Sequence, residues 1–288
     1  NSRIKKVNRE VGVLHFDAAF PPPVLGGKEK QAYLLTTHLS QGKLIKVAVL
    51  SFYFSKSQNA SHESLYVYRI KKSIFYLGEL FYQIIKNRNN FSIIHIHTPS
   101  RIGKFVAIIS KIFFYKVFFK IPNQGLTSMN NIKGILDYLF FNFFVDKIVI
   151  LENQTKAYFS GFKALRDKIL MISNGVKLKK QKIYSKSLEE IKLVYVGRLV
   201  EQKGINEILG FSLKLKNINH KFFIDIVGDG PDFNKIRSFI LKNNLDKNIR
   251  MHGNLKDPFE IMYSSDILLI PSTKEGMSNV ILEAMSIG

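Results

Sequence analysis

The chain has 288 residues, no cysteine and a formal net charge of +21. A length of this order accommodates two hydrophobic cores rather than one. The lack of cysteine excludes a disulfide framework, thiol catalysis and a thiolate metal centre. No apolar run reaches the roughly eighteen residues of a transmembrane helix, and no stretch reads as a cleavable signal. The positive charge is uneven: residues 1–150 carry 21 Lys and Arg against 7 Asp and Glu. A basic first half implies an anionic partner, whether nucleic acid, an acidic membrane surface or a phosphorylated substrate.

Residues 11–16 read as a short apolar strand, followed by PPPVLGGKEK. The prolines stiffen this loop, Gly26 and Gly27 allow a tight backbone, and a helix is predicted over 28–39. A glycine pair between strand and helix serves either as a plain turn or as a phosphate cradle. A second strand (44–50), a polar stretch (51–64), a third strand (66–70) and a helix (73–87) continue the alternation. FSIIHIHTPS is a strand ending in His95 and His97, whose imidazoles share one face at spacing two. A metal would need a third ligand, and no Asp, Glu or His follows closely, so none is expected.

A helix over 102–113 and a strand over 116–121 lead into PNQGLTSMNN, where Gln124 precedes Gly125. The apolar helix 132–144, flanked by Lys133 and Lys147, suits either a membrane surface or the underside of a parallel sheet. Strand 146–151, a helix and strand 167–173 follow, ending in ISNGV. Residues 177–190 are charged and loosely patterned, the signature of a linker.

After strand 191–196, GRLVEQKGINEIL sets Arg198 and Lys203 five apart across a short loop, with the lysine opening a helix. A guanidinium and an ammonium so placed either neutralise a diphosphate or are ordinary surface charges. Strand 220–227 ends in GDGP, where Gly228 lets backbone approach a ligand. Helix 233–243, strand 249–252, helix 258–263 and strand 267–270 lead into PSTKEGMSNVILEAMSIG. That segment reads as loop then helix, capped by Ser278 or Asn279. Free backbone N–H groups at such a junction attract an anion. Glu283, one turn in, leans back toward it, and Glu275 stands just ahead. Two carboxylates bracketing an anion site suit a sugar nucleotide.

Alternating strands and helices with short connections predict parallel sheets covered on both faces, with ligands at the carboxyl ends of the strands. The predicted units are 1–174 and 191–288, joined by a linker over 175–190.

Four of these elements together resemble the retaining glycosyltransferase family 4. They are Glu-x7-Glu with Gly276 after the first and Ala284-Met285 after the second, GRLVEQKG, the PPPVLGG loop and the HIH strand. The resemblance implies a GT-B fold: α/β, with two Rossmann-like doubly wound parallel-sheet domains facing a central cleft. It also implies transfer of a sugar from a nucleotide-diphosphate donor to a glycan or lipid-linked acceptor, in bacterial surface polysaccharide synthesis.

On that resemblance Glu275 binds hydroxyls of the transferred sugar, Glu283 the ribose, and Gly276, Met277, Ser278 and Asn279 the donor phosphates. Arg198 and Lys203 grip the diphosphate, and Gly26 and Gly27 face the cleft. Gln124 stands where the family carries a histidine; it can hydrogen-bond but cannot take a proton. No Asp-x-Asp occurs, so neither a metal nor another cofactor is expected. The expected partners are the donor, the acceptor and an anionic membrane surface, with no nucleic acid, placing the protein in the cytoplasm at the inner membrane face. A GT-B sugar-nucleotide epimerase and a basic, non-catalytic binding protein are the alternative readings. The sequence stops inside its motif segment, so a C-terminally truncated member is expected.

Overall fold

The computed structural model describes residues 11–21, 27–42, 44–53, 65–71, 73–121, 132–178, 190–273 and 277–288. The chain divides into two compact units, 1–175 and 176–288.

In the first unit the strands are β1 (Val11–Phe16), β2 (Ile45–Tyr53), β3 (Tyr66–Lys71), β4 (Ile93–Ile96), β5 (Lys116–Ile121), β6 (Lys147–Ile150) and β7 (Ile169–Met171). The helices between them are α1 (Gly27–Gln41), α2 (Tyr76–Lys86), α3 (Arg101–Ile112), α4 (Ile132–Phe144), α5 (Asn153–Ser160) and α6 (Lys163–Arg166). The described strands form one sheet in the order β3-β2-β1-β4-β5-β6-β7, with all pairs parallel. The apolar strand runs predict this burial on both faces. Leu14, Phe16, Leu50, Ile94, Ile96, Val117 and Phe119 are all buried in the main core, and helices close over them through Leu80, Ile84, Val106 and Phe141.

The second unit holds β8 (Ile191–Val196), α7 (Ile205–Asn217), β9 (Phe222–Val227), α8 (Phe233–Lys242), β10 (Ile249–Gly253), α9 (Phe259–Ser264), β11 (Ile267–Leu268) and α10 (Asn279–Met285). Its parallel sheet runs β10-β9-β8-β11. Leu193, Tyr195, Ile205, Leu209, Ile224, Ile226, Ile236 and Ile240 fill its core.

Both strand orders reverse once. The chain turns back between β1 and β4 in the first sheet and between β8 and β11 in the second. In open parallel sheets, the crevice at such a switch point is where ligands bind, because the flanking loops diverge to opposite faces.

Among the described residues, three helices end in a Schellman turn with a left-handed residue just past the cap: Phe114 after α3, Asn219 after α7 and Asn244 after α8. The bonds Phe114 N–H to Lys111 C=O (3.1 Å) and Tyr115 N–H to Ser110 C=O (3.0 Å) close the first. Asn tolerates this conformation and Phe does not. Phe114 is 82% exposed, so it recovers little by packing. Phe114→Asn is therefore expected to stabilise the first unit by about 1 kcal/mol, read as a rise in the urea midpoint at unchanged slope.

α4 packs on the core along one side and is exposed along the other. Phe140 and Phe141 are buried in the core, whereas Ile135, Leu136, Leu139 and Phe143 are exposed. α2 buries Leu80 and Ile84 and leaves Leu77, Phe81, Tyr82 and Ile85 outside, with Ile74 and Phe75 just ahead. No described helix is long and apolar enough to cross a membrane.

Candidate functional site

In the second unit three loops meet at the carboxyl ends of the strands. The loop after β8 carries Gly197, the exposed Arg198 and a short 3-10 turn, Glu201–Lys203. The loop after β9 docks on it: Leu199 N–H donates to Asp229 C=O at 3.0 Å, and Asp232 N–H to Leu199 C=O at 3.2 Å. The loop after β11 docks from the other side, with Thr273 N–H donating to Gln202 C=O at 3.1 Å. Arg198 and Lys203 thus stand on the switch-point loop between β8 and β11, the place the sheet order assigns to a ligand.

Two glycines with positive φ help make this convergence possible. Gly204 has φ of +73°, and a Cβ there would lie 2.1 Å from Pro271 C=O, on the loop after β11. Gly228 has φ of +147°, and a Cβ there would lie 1.8 Å from Gly197 C=O. Both positions need the left-handed freedom of glycine and its missing side chain.

The structure alters two local expectations. Lys203 does not open a helix: it ends the 3-10 turn, and left-handed Gly204 separates it from α7. Lys203 nevertheless remains on the loop at the strand ends. The strand predicted over 267–270 pairs only as Ile267–Leu268. α10 is seven residues long, and Ser278 is its N-cap residue without a side-chain cap bond. So short a helix has little dipole, and the neighbouring loop after β8 carries two cations, Arg198 and Lys203. Met277 and Ser278 precede α10, Asn279 opens it, and Glu283 is half-buried one turn on. Glu275 and Gly276 lie outside the described residues.

The first unit gathers a different set of groups at its own switch point. His15 on β1 is level with His95 on β4, and His97 follows two residues on. Strand alternation puts all three imidazoles, with Asp17, on one face. His15 Nδ1 and His97 Nε2 lie 2.9 Å apart, and the rings of His95 and His97 are 4.1 Å apart. Asp17 accepts from Thr98 Oγ1 at 3.0 Å and from Ala19 N–H at 3.3 Å. Burial drives the His15 pKa down to about 3 and holds His95 and His97 well below the usual range. The three rings are therefore neutral. Lys120, on β5, is lowered to about 8 by burial, against the pull of Asp17, and donates to Asn174 Oδ1 at 3.1 Å.

The sequence singled out His95 and His97 and lacked a third ligand. His15, Asp17 and Lys120 escaped notice because only the sheet order brings β1 and β5 to either side of β4. Gly27 is the first residue of α1, where Gln31 and Gly175 exchange two hydrogen bonds, of 2.9 and 3.2 Å. Gly26 and Gln124 lie outside the described residues.

The fold and the loops at both switch points define a GT-B protein with two Rossmann-like units. Residues 176–288, the second unit, match the family model described as "Glycosyl transferases group 1". Among curated proteins, the chain is 29% identical over 167 residues to the uncharacterized glycosyltransferase MJ1059 of Methanocaldococcus jannaschii, covering 53% of this chain and 40% of that protein. It is 32% identical over 136 residues to the UDP-Gal:alpha-D-GlcNAc-diphosphoundecaprenol alpha-1,3-galactosyltransferase of Escherichia coli, covering 42% and 35%. The matches thus span less than half the length of these relatives. Among solved structures, HepE of Anabaena in complex with UDP has a TM-score of 0.73 at 18% identity, covering 96% of this chain and 78% of that one. A TarM mutant of S. aureus in complex with fondaparinux, alpha-GlcNAc-glycerol and UDP has a TM-score of 0.70 at 13% identity, covering 96% and 84%. These likenesses establish the fold.

Proposed function

We propose that the protein is a retaining glycosyltransferase of family 4 that moves a sugar from a nucleotide-diphosphate donor to a glycan or lipid-linked acceptor. The observation that carries this reading is the convergence of three loops at the β8/β11 switch point, with Arg198 and Lys203 on the central one. A fixed guanidinium and an ammonium there offset the charge that builds on a departing diphosphate, so no bridging metal or other cofactor is needed for that step. Met277, Ser278 and Asn279 supply backbone beside the phosphates, Gly228 allows close approach, and Glu283 takes the ribose. On the family resemblance Glu275 binds hydroxyls of the transferred sugar, Gly276 joins Met277, Ser278 and Asn279 at the donor phosphates, Gln124 lies close to the transferred sugar, and Gly26 and Gly27 face the cleft on the donor side. The match of this unit to the group 1 family supports the donor role, as do relatives and neighbours whose names carry UDP or a UDP-sugar.

Bacterial surface polysaccharide synthesis is the setting we infer. Relatives named as capsular polysaccharide glycosyltransferases of Staphylococcus aureus support it. The test is release of nucleoside diphosphate from a panel of nucleotide sugars in the presence of lipid-linked and soluble acceptors. Release from one donor, dependent on acceptor, supports transfer. Epimerised donor without acceptor dependence, or no turnover of any donor by an enzyme carrying its full sequence, refutes it.

We further propose that the first unit works against an anionic membrane surface on the cytoplasmic side, with no nucleic-acid partner. The exposed apolar residues of α2 and α4 and the basic excess of residues 1–150 support this. Flotation with anionic vesicles should recover the protein, recovery should fall as salt screens the charge, and neutral vesicles should recover much less. Equal recovery with both lipids would contradict it.

A further inference from the structure

The polar groups at the switch point of the first unit are not used in the diphosphate chemistry proposed above, and their arrangement is that of a ligand set. We infer that His15, His95 and His97 form a binding site for a transition-metal dication, of which zinc is the best match.

The geometry supplies the ligands. One nitrogen from each ring lies within 4.8 Å of the other two. Nitrogens bound to a tetrahedral ion at about 2.0–2.1 Å are spaced by roughly 3.3 Å, so modest ring rotations close the set. β1 and β4 hold the rings side by side through the His15 and His95 register, and the backbone bond from His97 N–H to Phe16 C=O (2.9 Å) fixes the third. A site carried on paired strands loses little entropy when the ion arrives.

The polar inventory leaves a place for one. The buried Nε2 atoms of His15 and His95 and the Oδ2 of Asp17 have no hydrogen-bond partner among the described residues. Buried polar atoms are almost always satisfied, and each orphan costs about 1–3 kcal/mol. Three orphans on one sheet face, within one cluster, fit an ion that takes the nitrogens and a carboxylate that supports it.

Chemistry selects the ion. Three imidazoles with no thiolate favour zinc, copper, nickel or cobalt over magnesium or calcium, which demand oxygen. Asp17 is the only carboxylate among the groups named at the cluster, and it offsets part of the dication's charge. Lys120, on the neighbouring strand, opposes it. The fourth position remains for water or Asp17.

The test uses the whole chain, stripped with a chelator and titrated with Zn(II) and Co(II). One ion per chain is expected, with a tetrahedral Co(II) spectrum free of thiolate bands and an upward shift of Tm that grows with the logarithm of free metal concentration. His15→Gln and His97→Gln should each weaken binding at least tenfold, whereas His220→Gln, in the second unit, should leave it unchanged. If the cluster variants fail to fold, X-ray absorption of the zinc-loaded wild type decides, since imidazole scattering from three ligands is then required. Binding that is substoichiometric, octahedral or unaltered in the variants would overturn the inference. The three rings would then be a hydrogen-bonded cluster only. The donor assay is independent of this result.

Discussion

Arg198→Ala and Lys203→Ala are each expected to lower kcat/KM for the nucleotide-sugar donor by about 100-fold, equivalent to about 2.7 kcal/mol of transition-state stabilisation. The reason is positional. Both cations stand on the loop that leaves β8 at the point where the sheet order reverses, and the turn Glu201–Lys203 fixes their spacing. An ammonium and a guanidinium act most strongly where charge develops as the diphosphate departs, so the loss should fall on kcat as well as KM. Lys203→Arg should recover less than a point charge alone would, because the guanidinium is a planar fork and the lysine a compact ammonium. Ordinary surface charges would behave otherwise: each alanine variant would retain wild-type kinetics. That result would remove the diphosphate from this loop.

Gly204→Ala is expected to destabilise the second unit by roughly 3 kcal/mol or more, combining left-handed strain with a backbone collision. The φ of +73° is one part; the other is the Pro271 carbonyl oxygen, 2.1 Å from where the new Cβ would stand. Backbone cannot step aside as a flexible side chain can. The substitution therefore pries the loop after β11 from the loop after β8, which Thr273 and Gln202 otherwise join. Thermal and urea unfolding should show the loss, and donor binding should weaken with it. A stability within about 0.5 kcal/mol of wild type, the range of neutral surface changes, would mean that the loops are not held together as described.

Much of this architecture is legible in the residues. The apolar runs at strand length, separated by helical segments, give the order of elements nearly throughout. Arg198, Gly228 and Glu283 can be placed at strand ends or a helix start without coordinates. What the sequence conceals is whatever depends on which strands lie side by side. His15 is an unremarked polar residue in an apolar strand until β1 is found beside β4, with His15 level with His95. Lys120 joins the same cluster because β5 pairs with β4 on its other side. The left-handed Gly204, between Lys203 and α7, is similarly invisible in a pattern that reads as an uninterrupted helix start. Short pairing is a third case: residues 267–270 are apolar enough for a full strand, yet only two of them pair with β8.

The central claim is that the donor diphosphate occupies the β8/β11 switch point of the second unit. Hydrogen exchange of the chain, measured with and without a saturating nucleoside-diphosphate sugar, tests it most directly. Slowed exchange should concentrate in residues 197–204 and 277–283, with smaller changes near Gly228, and Arg198→Ala should abolish it. Measurable binding accompanied by no slowing in those segments, or by slowing confined to residues 11–175, would contradict the account.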